Sequence, residues 1–101
     1  MPETTPFQRD LQRIESDIRR LEHEYSLYFA ERQPLPPLQR RQRLENLLKR
    51  CDRAQLSESS VDRFRFATLQ ARFVTFASMW DRGVRAREEG RPWPFQKSEG
   101  S

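Results

Sequence analysis

The side chains that work chemically on their own are few. His23 is the one histidine and Cys51 the one cysteine of the 101-residue chain. A histidine acts as general acid or base near neutral pH, and a thiolate as nucleophile, when each stands beside a group that tunes it. His23 lies between Glu22 and Glu24, which reads as a solvated helical position. Cys51 falls on an apolar stripe with Leu44, Leu47 and Leu48, which reads as a buried structural thiol. A lone His and a lone Cys make no zinc site unless carboxylates complete it, and no intrachain disulfide can form. Gly83, Gly90 and Gly100 are the only glycines, too scattered for a phosphate-binding loop. The carboxylates stand at helical ion-pair spacing from arginines: Asp10 with Arg13, Glu15 with Arg19, Asp62 with Arg65. The expectation is a non-enzyme with no metal and no cofactor.

Binding is the better use of this composition. The formal net charge is +4, and all but Lys49 and Lys97 of the 19 basic residues are arginine. Arginine grips carboxylates and phosphates with two parallel hydrogen bonds and stacks on rings. A GC-rich genome also yields such a bias. Residues 35–56 hold six basic and two acidic side chains, a surplus of four that equals the net charge of the whole chain. Arg40, Arg43, Arg50 and Arg53 are the candidate charge contacts, with Arg65 and Arg72 further along the chain. Arg65 and Arg72 flank an aromatic row, so intramolecular pairing is the competing role for them. Trp93 and Phe95, set beside prolines, are candidate aromatic anchors in a docking tail that could equally fold back on the bundle. The expected partner is another protein with an acidic surface. Nucleic acid is the alternative, served by the basic second helix, although no zinc finger, basic zipper or major-groove motif is present.

The elements that must position these residues are helical. Phe7, Leu11, Ile14, Ile18, Leu21, Tyr25 and Tyr28 recur at alternating spacings of four and three, a heptad seam. Thr4 or Thr5 followed by Pro6 starts this helix, and Pro34 predicts its end near Arg32. Gln33-Pro34-Leu35-Pro36-Pro37 is a stiff linker. A second helix spans 38–53, with Leu44, Leu47, Leu48 and Cys51 as its stripe. Ser59 or Ser60, with Asp62, starts a third that ends at about residue 89, before Gly90 and Pro92. It carries two apolar sets: Phe66, Leu69, Phe73, Phe76 and Trp80, and beside them Val61, Phe64, Ala67, Ala71, Val74 and Ala77. That wide apolar arc predicts the third helix as the central element. The fold class is all-α: an antiparallel three-helix arrangement over residues 1–90 with long first and third helices, coiled-coil-like packing, and a Pro/aromatic tail at 91–101. A homodimer through the first helix's seam is the alternative to intrachain packing. No apolar run approaches the ~20 residues of a membrane span. Met1-Pro2-Glu3 begins no signal peptide, so the expected location is cytoplasmic.

Some strings also carry a resemblance. Leu21-Glu22-His23-Glu24-Tyr25-Ser26-Leu27-Tyr28-Phe29, Arg63-Phe64-Arg65-Phe66-Ala67-Thr68-Leu69-Gln70-Ala71-Arg72-Phe73, and Trp80-Asp81-Arg82 followed by Arg85, Glu88, Glu89 and Gly90 are similar to a small helical domain of myxobacterial and related deltaproteobacterial proteins. The likeness spans about residues 11 to 90. It implies a bacterial, regulatory setting with no catalytic residues to carry over. Within that setting, the expectation is a polarity or motility complex acting on a small Ras-like GTPase.

Overall fold

Thr5 and Pro6 begin α1 (Pro6–Phe29) as their types demand. Proline needs no N–H partner in the first turn. The Gln8 N–H donates to Thr5 Oγ1 and the Thr5 N–H to Gln8 Oε1, both at 3.1 Å, a reciprocal cap. In the computed structural model, which describes residues 3–90, two more helices follow: α2 (Leu38–Ala54) and α3 (Ser60–Glu88), with a single 3₁₀ turn, Gln55–Ser57, between them. No strand is present among the described residues. Ser59 caps α3 by accepting the Asp62 N–H at 3.2 Å. Beyond its end Gly90 takes a φ of 72°, a conformation that favours glycine.

α1 ends at Phe29, short of the expected Arg32. Pro34 is not the immediate cause. Glu31 adopts a left-handed φ of 61°, and the Arg32 N–H donates to Leu27 O at 2.9 Å while the Glu31 N–H donates to Tyr28 O at 3.1 Å. This paired closure ends the helix at Phe29, four residues short of the first proline, Pro34.

The contacts fix the direction of each helix. Arg50 meets Asp10 and Arg40 meets Glu24, so α2 runs against α1. Gln8 meets Asp62, Arg65 meets Glu15, Arg72 meets Glu22 and Tyr25 meets Trp80, so α1 and α3 run side by side in one direction. The three form a helical bundle in which the long first and third helices pair.

The central element is α1, not α3. α1 packs along both neighbours, whereas α2 and α3 approach each other far less. Leu11, Ile14, Ile18 and Leu21 are fully enclosed. The seam is therefore covered within the chain by α2 and α3. The reason lies in the flanks of the seam. Asp10, Asp17 and Glu24 line one side at seven-residue spacing, and Gln8, Glu15 and Glu22 line the other. Asp10 and Glu24 pair with arginines of α2, and Glu15 and Glu22 with arginines of α3, as e and g positions do in coiled coils. On α3 the first apolar set is enclosed, with Phe76 half-buried, but Val61, Phe64, Ala67, Ala71 and Val74 are exposed. Of that second set, Ala77 is buried.

Candidate binding groove between α1 and α2

The largest aromatic cluster explains how α2 is held. Trp80 stacks on Tyr25 with ring centres 4.4 Å apart and on Phe76 at 5.5 Å, and Phe73 meets its edge. The Tyr25 hydroxyl accepts from Arg41 Nη1 at 3.2 Å, and the same guanidinium grips Asp81 with bonds of 2.6 and 3.1 Å and reaches Glu45 at 3.3 Å. Arg41 is thus the tie between α2, α1 and α3, with only 15% of its side chain exposed. Burial lowers the guanidinium's affinity for its proton, but the bonds to Asp81 and Tyr25 outweigh that and hold it above its ordinary range. Burial also raises the Tyr25 phenol, which Arg41 partly opposes. Sequence reasoning passed over Arg41 as one more arginine in a basic run.

With Arg41 facing inward, Arg40, Arg43 and Arg50 are left along the groove to α1. A cleft of about 260 Å³ is lined by Arg13 and Asp17 of α1 and by Arg43, Asn46, Leu47 and Arg50 of α2. Asp17 lines it and Asp10 stands beside Arg50, so three guanidiniums meet two carboxylates, a surplus of one positive charge. Arg13 lies 3.9 Å from Asp17, and Arg50 donates to Asp10 at 3.2 Å. Arg43 is exposed and has no ion pair among the described residues. Its α1 neighbour, Arg13, is expected from its spacing to pair with Asp10. Of the three expected intrahelical pairs, only Glu15 with Arg19 forms, at 3.2 Å, while Asp10 and Asp62 are used across the bundle.

Arg43 also borders a second hollow of about 470 Å³ at the end of the groove, formed by Glu24, the linker residues Leu35 to Pro37, and Leu38, Gln39 and Arg40. Arg40 is ion-paired with Glu24. Leu35 and Leu38 are 71% and 62% exposed, an apolar patch at the mouth of a cationic cleft. The sequence marks this linker as stiff. Its stiffness is what holds these leucines out, since proline fixes the local backbone.

The other candidates are placed as follows. Arg53 lies exposed in the last turn of α2, beyond the cleft. Arg65 and Arg72 lie on the α1–α3 side, 3.3 Å from Glu15 and 3.8 Å from Glu22. The groove therefore does not bring these two together with the α2 arginines. Trp93 and Phe95 lie outside the described residues. His23 is exposed. Cys51 is buried, and burial, aided by the nearby Asp10 carboxylate and opposed by Arg50, pushes its thiol up to about 11. A thiol so shifted stays protonated and unreactive at neutral pH. No group of three metal-ligating side chains occurs among the described residues, and none of their helices is long and apolar enough to cross a membrane.

No family model matches the chain, and neither curated proteins nor solved structures show significant similarity to it.

Proposed function

We propose that the chain is a non-catalytic helical adaptor that holds an acidic, partly apolar segment of another protein along the α1–α2 groove. The observation that carries this reading is the position of Arg43, which borders both the cationic cleft and the apolar hollow. A segment with an apolar side chain on Leu35 and Leu38, and carboxylates one or two helical turns away, would meet both at once. The unpaired guanidinium would gain a two-bonded partner, and rim charges around it would speed encounter.

A protein fits this groove better than a nucleic acid. Asp10, Asp17 and Glu24 stand between the arginines along it. Discrete carboxylates can avoid those three acids, whereas a continuous phosphate backbone would run over them. The resemblance to regulatory bacterial domains adds a setting in which a small Ras-like GTPase is one partner to assay.

The test is affinity purification from native cells with nuclease and moderate salt, using the wild type, Arg43→Glu and, as a control of equal charge change, Arg85→Glu. The expected result is a protein partner retained by the wild type and the control and lost from Arg43→Glu. Recovery of nucleic acid alone, removed by nuclease, would establish the alternative reading instead.

A further inference from the structure

The outward face of α3 is a second surface, separate from the groove. Val61, Phe64, Thr68, Ala71, Thr75 and Ser78 recur at spacings of three, four, three, four and three, a heptad stripe on the side away from α1. None of the six is charged, in a chain whose residues are 34% charged. Val61 and Phe64 are each 75% exposed. Two observations make the stripe more apolar than its composition. Thr68 Oγ1 donates back to Phe64 O at 3.1 Å and Thr75 Oγ1 to Ala71 O at 3.0 Å. Both hydroxyls are thereby satisfied within the helix, and no outside polar partner is needed.

We infer that this stripe is a homodimer seam on which a second copy of the chain lays its own α3 in the antiparallel direction. The order of side-chain sizes points to that occupant. The large residues, Val61 and Phe64, lie at the start of the stripe and the small ones, Ala71, Thr75 and Ser78, at its end. Reversing a second copy about the midpoint between Leu69 and Gln70 sets Phe64 against Thr75, Val61 against Ser78, and Thr68 against Ala71. Each large side chain then meets a small one, as close packing requires. A parallel pair would instead put Phe64 on Phe64 and leave a gap between the two Ser78 residues. Elsewhere a positive surplus makes two copies repel, so this uncharged strip is where they can meet at least cost.

Sedimentation from micromolar to near-millimolar concentration tests the inference on the full chain. The wild type should pass from monomer to dimer, and Phe64→Glu should stay monomeric. Because Phe64 is exposed, Phe64→Glu should keep its far-UV helical signal, which shows that the loss is not one of folding. Cysteine cross-linking tests the direction. Ala71→Cys lies next to the two-fold axis and should form a disulfide-linked dimer on mild oxidation. Ser78→Cys should not, because the two positions are roughly 25 Å apart along antiparallel helices rising 1.5 Å per residue. The native Cys51 is buried and stays silent. A wild type that is monomeric throughout, or a dimer that Phe64→Glu leaves intact, would overturn the inference. Cross-linking at both positions would replace the antiparallel pair with a parallel one. None of these outcomes bears on the α1–α2 groove, whose test reads a different variant.

Discussion

At the scale of single residues, burial decides what each reactive group can do. The Cys51 thiol sits on the stripe of α2 with its Sγ 4.0 Å from Asp10 Oδ2. Burial and that carboxylate both disfavour a thiolate. The shift links folding to pH. An unfolded cysteine loses its proton near pH ~8.5, while the folded one keeps it to about 11. Between those values the unfolded state binds fewer protons, so stability falls as pH rises. Tyr25 is shifted in the same direction and adds to the loss at the upper end of the window. The urea midpoint should therefore drop between pH 8 and pH 10.5, with Cys51 contributing on the order of 1–2 kcal/mol. Cys51→Ala removes that titration and should flatten the drop while leaving the part due to Tyr25. If the two proteins lose the same stability across this window, the buried thiol is not the cause.

At the scale of elements, α1 was almost fully legible. Its heptad seam is strict, its cap residues are of the right type, and every member of the seam is buried. What pattern alone misses is which of two apolar faces is covered, and that is why α3 was expected at the centre. Periodicity shows that Phe64 and Phe66 lie on different sides of the helix, but not that α1 covers only one of them. Lateral neighbours are equally invisible. Arg43 and Arg50 were legible as a basic face, whereas Arg13 joins them only because α1 and α2 run in opposite directions. The end of α1 was missed for a backbone reason. Glu31 occupies a left-handed position that costs a side-chain-bearing residue roughly 1–2 kcal/mol, and no sequence rule favours glutamate there. Glu31→Gly should remove this strain, and with it raise stability by about 0.5–1 kcal/mol, the rest being offset by glycine's greater freedom when unfolded. A thermal midpoint that rises by a few degrees would bear this out, and one that falls would show that the Glu31 side chain has a role of its own.

At the scale of the whole molecule, the question is whether three helices with such unequal contacts melt as one. α2 touches α3 little, so it could in principle detach while α1 and α3 stay paired. Two features argue against this. Ile18 and Leu44, on α1 and α2, are both fully enclosed in one continuous core with Phe66 and Trp80 of α3. Arg41 also ties α2 to Tyr25 and Asp81, so detachment would strip a guanidinium and a buried phenol of their partners at once. Trp80 provides the probe, because it reports the α1–α3 contact from a site on α3. In a Trp93→Phe background, which leaves Trp80 as the single indole, Ile18→Ala should lower stability by about 2–5 kcal/mol. Fluorescence and far-UV circular dichroism should then shift together. Leu44→Ala should do the same, although it lies on α2, because the core it opens is shared. The decisive outcome is the second variant. An early loss of helix signal in Leu44→Ala with the Trp80 transition unmoved would mean that α2 melts alone, and α1 would then organise a stable two-helix pair rather than a three-helix unit.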